Sequence, residues 1–216
     1  MTTDMKAYWN ERFENGAIWG TEACPSAQMA VDYFKDGSAI LVPGCGYGRN
    51  SSYLAKTGYV VDAYDISEKA IDFASQEAAG VNRNLRYEVR SLFDSAGSKV
   101  YDGIYLSNVI HLFLREEREM LLSHMTSLLK PGGVLILTCI SVSDASNYGH
   151  GVEIEPHTFM KHENKSLHFY TEEELDEIFS DDYQILEKKL HEQMEKDPSG
   201  DVETLKLWFV AARKIK

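Results

Sequence analysis

Three alternating glycines, Gly44-Cys45-Gly46-Tyr47-Gly48, stand directly after the apolar run Ser38-Ala39-Ile40-Leu41-Val42 and directly before a short helical stretch, residues 50–56. A buried strand that feeds a helix through a glycine loop constrains the fold more than any other feature of the chain. Glycine at such a junction lets a ligand approach the backbone closely, and the helix N-terminus offers unpaired N–H donors. The pattern then repeats. Residues 59–64 read as a second strand, and Ser67 caps a helix reaching about Ala79, with Glu68 and Asp72 near its positive end. Residues 85–89 and 103–107 read as strands three and four. Residues 115–129 read as a helix with Met120, Leu121, His124, Leu128 and Leu129 on one face. Pro131-Gly132-Gly133 stops that helix, and residues 134–139 form an apolar fifth strand. Strands alternating with helices predict a parallel sheet covered on both faces.

Two regions break the alternation. Residues 1–36 hold aromatic-rich helical segments. Residues 142–170 read as polar and irregular, too long for an ordinary connection, and such segments often serve as lids. Within them Asn147-Tyr148-Gly149-His150-Gly151 offers hinge glycines, and Phe159, Phe169 and Tyr170 are expected to cover an apolar pocket. His150, His157, His162 and His168 match no common zinc spacing and are expected to face solvent. After a helix at residues 172–179, which Glu172-Glu173-Glu174 opens as a solvated start, two last strands, about 183–193 and 203–213, flank the turn Asp197-Pro198-Ser199-Gly200. The sheet is therefore expected to end in an antiparallel pair.

Single-domain organisation over residues 1–216 follows from the length. With 22 Lys+Arg against 34 Asp+Glu, the net charge of −12 opposes general nucleic-acid binding. No apolar run is long enough to span a membrane, and the first residues lack the features of a signal peptide. Cys24, Cys45 and Cys139 are odd in number and widely spaced, which opposes a disulfide framework or a zinc site. A reduced, cytoplasmic, metal-free monomer or homodimer is the expectation.

Asp65 lies 21 positions after Gly44, at the end of the second strand. In a doubly wound sheet that strand end lies beside the glycine loop, where a carboxylate accepts the ribose hydroxyls of an adenosine ligand. A dinucleotide fingerprint requires G-x-G-x-x-G. Counting from Gly44 puts Arg49 at the third glycine position, and counting from Gly46 puts Ser51 there, so a nicotinamide-dependent oxidoreductase is disfavoured. The tighter spacing suits an amino-acid moiety lying across the loop, with Gly44, Gly46 and Gly48 shaping its bed.

Gly44 through Ser51, followed by Tyr53-Leu54-Ala55, resembles the first motif of class I S-adenosylmethionine (SAM) dependent methyltransferases, particularly the tellurite-resistance branch and its thiopurine methyltransferase relatives. Asp62-Ala63-Tyr64-Asp65 resembles the second motif, residues 108–113 the fourth-strand motif, and residues 129–133 the lead into strand five. Residues 9–13 and Trp19-Gly20-Thr21-Glu22 are similar to the aromatic N-terminal segment of the same branch. The resemblance implies a Rossmann-like seven-stranded sheet with an antiparallel last strand and SAM as cofactor. It also implies cofactor contacts at Trp9, Trp19, Gly44, Cys45, Gly46, Gly48, Asn50, Asp65, Ile66, Ser91, Leu92, Phe93, Ser107, Asn108 and Val109. The acidic residue usual two positions before the first motif glycine is replaced by Val42, and Arg90 precedes the third motif. Ser91 and Asp94 are the alternatives for the adenine amine there. A SAM-binding regulator without turnover is therefore the second reading.

Methyl transfer from a sulfonium needs positioning and exclusion of water rather than an electrophile. A small-molecule acceptor with a soft sulfur, selenium or tellurium nucleophile fits a chain with no obvious base pair. His111, at the rim after strand four, is read as a catalytic base or as an orienting or packing residue. Cys45 is read as a small residue that fits a crowded turn. Trp9 and Trp19 are equally compatible with core packing and with folding over the cofactor.

Overall fold

The computed structural model describes residues 2–14, 16–79, 83–94, 99–162, 165–196 and 201–216. The turn expected at 197–200 lies outside them. The described strands are β1 (Ala39–Pro43), β2 (Val60–Asp65), β3 (Leu85–Val89), β4 (Tyr101–Ser107), β5 (Leu129–Ile140), β6 (Val152–Glu155), β7 (Thr158–His162), β8 (Lys165–His168), β9 (Tyr183–Lys196) and β10 (Val202–Lys214). The helices are α1 (Thr2–Arg12), α2 (Pro25–Ala30), α3 (Arg49–Lys56), α4 (Glu68–Ala78), α5 (Arg115–Leu128) and α6 (Glu172–Ile178).

Seven strands form the main sheet in the order β3-β2-β1-β4-β5-β10-β9. The first five run parallel; β10 is antiparallel to both β5 and β9. Successive residues of the central strands point to opposite faces. Leu41, Ile104, Leu106, Leu135, Leu137, Trp208 and Val210 pack into one core with Leu121, Met125 and Leu128 of α5 and Leu175 of α6. Ile40, Val42, Tyr105, Ile136 and Phe209 pack into the other, under Ala27 and Ala30 of α2 and Leu54 and Ala55 of α3. Both faces are thus covered, and the strand order reverses between β1 and β4.

Several expectations need correction. Leu129 leaves the helical region at once (ψ 129°) and already pairs with Tyr101, so β5 starts before Pro131-Gly132-Gly133 and a register shift between Tyr101 and Gly103 absorbs the extra residues. The buried stripe of α5 is Leu121, Met125 and Leu128; Met120 is 56% exposed and His124 half-buried, because both sit one residue before that stripe.

Residues 142–170 are not irregular. They carry a second antiparallel sheet, β6-β7-β8, whose flanking ends are joined by the Val142 N–H to Tyr170 carbonyl bond (3.2 Å) and tied to β5 by the Tyr170 N–H to Ile140 carbonyl bond (2.8 Å). Phe159 and Phe169 pack there with Ile140 and Leu207, and Tyr170 is in the main core, so these rings fill cores instead of covering a pocket. His168 is buried, bridging the Thr158 hydroxyl (2.8 Å) and the Glu174 carboxylate (2.9 Å), and so does not face solvent.

Candidate functional site

At the carboxyl ends of β1, β2, β4 and β5, on the switch point where a doubly wound sheet opens a crevice, lies a cavity of about 770 Å³. Its floor is the glycine loop. Gly44 has φ +63°, and a side-chain Cβ there would come within 2.6 Å of Val109 Cγ2, so only glycine lets the loop after β1 meet the loop after β4. Opposite it, Asn108 also takes a left-handed φ of 56°, tolerated by asparagine, and this turns Val109 toward Gly44. Thr138 of β5 holds that turn. Its hydroxyl accepts the Asn108 N–H (3.1 Å), donates to Asn108 Oδ1 (3.0 Å) and lies 2.7 Å from the Ser107 hydroxyl.

Asp65 is nearly buried, and its two oxygens accept the Gly46 and Ser67 N–H groups (2.9 Å each). Burial pushes its carboxyl above the ordinary value, against those hydrogen bonds. Each carboxylate oxygen has a second lone pair, so one side chain can brace the loop and still accept a ligand hydroxyl. Ile66, Ser91, Leu92 and Phe93 continue the wall. Asp94 accepts the Ser91 N–H (3.0 Å) and does not line the cavity, which leaves Ser91 as the lining polar residue of that pair. Arg90 stacks over the Tyr64 ring at 3.8 Å, away from the lining.

Trp9 and Trp19 both pack and line: Trp9 stacks on Phe13 and Trp19 on Tyr47, and each also borders the cavity. The Tyr47 hydroxyl accepts the Trp19 N–H (3.0 Å) and donates to the Gly20 carbonyl (2.8 Å), strapping the aromatic segment to the glycine loop. Cys45 and Asn50 also line the cavity; Asn50 Oδ1 accepts the Cys24 N–H (2.9 Å). Burial, reinforced by the Asp65 charge, holds the Cys45 thiol well above its usual pKa, so it is an inert, compact loop residue.

Gly48 is outside the lining. Its φ of +86° caps α3, and an added Cβ would collide with the Tyr87 hydroxyl behind the loop; the need for glycine here is packing, not ligand approach. His111 is in the lining, but burial pushes its pKa down to about 3, helped by the nearby Lys165 and His168 charges. Its Nδ1 accepts the Ile140 N–H (3.4 Å), so the neutral ring carries its proton on Nε2. That favours an orienting donor over a catalytic base.

Several lining residues were not singled out in the sequence. Arg49 donates to the Trp19 carbonyl (2.7 Å) and pairs with the buried Glu195 at 2.5 Å, so the far end of β9 closes over the start of α3. Arg12, Lys161, Lys165 and Glu203 also border the cavity. They come from four separate segments, and no local spacing marks them as neighbours.

A methyltransferase-domain model matches residues 41–135, the stretch from β1 into β5. Among curated proteins, the chain is 26% identical over 139 residues to a putative methyltransferase of Geobacillus sp. (63% of this chain, 56% of that protein). It is 30% identical over 139 residues to the probable SAM-dependent methyltransferase TehB of Haemophilus influenzae (63% and 46%). The chain thus spans about half the length of these relatives. The solved structure of H. influenzae TehB superposes with a TM-score of 0.68 at 22% identity, over 97% of this chain and 66% of that one. The Burkholderia thailandensis 1,6-didemethyltoxoflavin-N1-methyltransferase, solved with 1,6-didemethyltoxoflavin and S-adenosylhomocysteine, superposes with a TM-score of 0.75 at 18% identity, over 100% and 87%.

Proposed function

We propose that this chain is a class I SAM-dependent methyltransferase of the TehB-like branch and that it transfers the methyl group of SAM to a small molecule. The observation that carries this reading is the pairing of the Gly44–Val109 cradle with the buried Asp65 carboxylate at the strand-order switch point. The residues present fit the cofactor. Asp65 would take the ribose, Ile66 and Ser91–Phe93 the adenine, and the backbone around Gly44 and Ser107 the methionine portion, with Trp9 and Trp19 covering it. Bound there, SAM supplies a methyl group already activated by its sulfonium.

The chain's own contribution is position and dryness. The Asn108 turn and the neutral His111 ring fix the wall beside the reacting atoms, and the aromatic N-terminal segment with the β9–β10 hairpin excludes water. With its Nδ1 lone pair engaged and its pKa near 3, His111 is a poor proton acceptor. An acceptor atom that gives up its own proton readily, such as a thiol, selenol or tellurium nucleophile, suits such a wall.

Calorimetric titration with S-adenosylhomocysteine and with NAD tests the cofactor, and transfer from methyl-labelled SAM across a panel of thiol, amine and hydroxyl acceptors tests the reaction. Micromolar binding of S-adenosylhomocysteine without NAD heat is expected. NAD binding alone would overturn the reading. Cofactor binding without label transfer to any acceptor would favour a regulator.

A further inference from the structure

The chain carries a net charge of −12, yet one part of its cavity is cationic. Arg12 from α1, Lys161 from β7 and Lys165 from β8 all line it, and the last two stand on the small sheet away from the glycine loop. Burial disfavours the charged state of Lys165, and Arg12 and Lys161 are close enough to oppose it further. Lys161 has hydrogen-bond partners, donating to the Asn147 carbonyl (3.0 Å) and to Asn147 Oδ1 (3.3 Å). Among the described residues the Lys165 ammonium and the Arg12 guanidinium have no hydrogen-bond or ion-pair partner; Arg12 lies over the Trp19 ring at 5.8 Å.

Among the described residues the opposing carboxylates are few. Glu203 of β10 faces both lysines, and Asp144 acts on Lys161. Asp144 is already committed to the Lys206 N–H (2.7 Å) and the Asn147 N–H (3.0 Å). Glu195 is taken by Arg49, and Glu117 accepts the Leu114 N–H at the start of α5. Among the described residues, three cations therefore meet one uncommitted carboxylate in a partly desolvated pocket, where attraction for an anion is much stronger than at an open surface. Around them the wall is apolar: Leu112, Phe113, Met160, Leu167, Leu205 and Leu207.

We propose that the methyl acceptor is an amphiphilic organic acid, its anionic group held by Lys165 and Lys161 and its apolar body lying against Leu112, Met160, Leu167 and Leu205. This rests on the methyltransferase reading for the cofactor half of the same cavity. An unpartnered half-buried ammonium is poorly solvated by the protein, so a carboxylate, sulfonate or phosphate that reaches it replaces lost hydration with a charge-assisted hydrogen bond. Glu203 sets the balance by partly offsetting the two lysines.

The test compares two probes with the same aromatic body. One is 1-anilinonaphthalene-8-sulfonate; the other, N-phenyl-1-naphthylamine, lacks the sulfonate. Each is titrated by fluorescence with and without saturating S-adenosylhomocysteine. In the wild-type chain the sulfonate should bind at least tenfold more tightly than the neutral amine. Lys165→Met and Lys161→Met should each weaken the sulfonate about tenfold and leave the neutral amine within twofold. Lys165→Arg should retain the preference, and Glu203→Gln should increase it. Equal affinities in the wild type, or a preference unchanged in both methionine variants, would overturn the proposal. Affinity for S-adenosylhomocysteine shows that each variant is folded. A wild-type chain that fails to bind it defeats the cofactor reading, while the sulfonate preference is still read directly.

Discussion

Both oxygens of Asp65 accept backbone N–H groups, so the residue that would hold the ribose also braces the loop that would hold the methionine portion. Asp65→Asn should weaken S-adenosylhomocysteine binding by roughly 1.5–3 kcal/mol, the worth of a hydrogen bond to a charged acceptor, and calorimetry reads it. Unchanged affinity in a folded variant would remove Asp65 from the ribose. His111 gives a pH prediction. An unfolded histidine titrates near 6.5, whereas the folded ring is held down to about 3 by burial. Between those values the unfolded chain binds a proton that the folded chain refuses, so stability falls as pH drops, by about 1.4 kcal/mol per pH unit for this group. Urea unfolding at pH 6.5 and 5 should show His111→Asn losing about 1.6 kcal/mol less than the wild type. At this scale the sequence brings Gly44, Asp65 and Asn108 to the cavity, where one residue meets one local need. It misled at Gly48, because the same glycine signature serves ligand approach and helix packing, and only the Tyr87 ring from β3 separates them.

Among the elements, α5 carries a buried cation. Arg118 donates to the Phe113 carbonyl (2.9 Å), reaches Glu155 of β6 at 3.4 Å and Glu174 of α6 at 3.9 Å, and lies over the Tyr170 ring. One side chain thus ties the small sheet and α6 to the main body. Arg118→Met should cost about 2 kcal/mol in urea unfolding, below the roughly 3–5 kcal/mol of a fully buried pair because both glutamates are partly exposed. A cost near zero would mean that packing alone holds the small sheet. The alternation of β1 to β5 was readable because strands buried on two faces are continuously apolar. The β6-β7-β8 sheet was not. Its strands are four or five residues long, the alternating Val152 and Ile154 of β6 are exposed, and its buried positions include the polar Thr158, Ser166 and His168, so hydrophobic alternation does not mark its buried face. Likewise Met120 has the composition of a core residue and the exposure of a surface one.

For the whole molecule, a ligand that binds only the folded chain adds stability by mass action. S-adenosylhomocysteine at 100 times its Kd should contribute about 2.7 kcal/mol and raise Tm by about 5–10 °C at this chain length. A concentration-independent Tm would rule out specific binding. The acceptor half of the cavity is a whole-molecule property that the sequence does not display. Arg12, Lys161, Lys165 and Glu203 are separated by up to 191 positions, and only the completed topology makes them neighbours. The Arg49–Glu195 pair has the same character, joining the glycine loop to the far end of β9 across 146 positions. Its consequence belongs to protein synthesis. A chain growing from its N-terminus on the ribosome completes Gly44 and Asp65 well before β9 and β10, so Arg49 stays without its carboxylate, and the pocket without Glu203, Leu205 and Leu207, until those two strands have been made. Domains fold as units as they emerge, so the nascent chain holds a cradle without a roof, and it acquires a closed binding site only once β9 and β10 have left the exit tunnel.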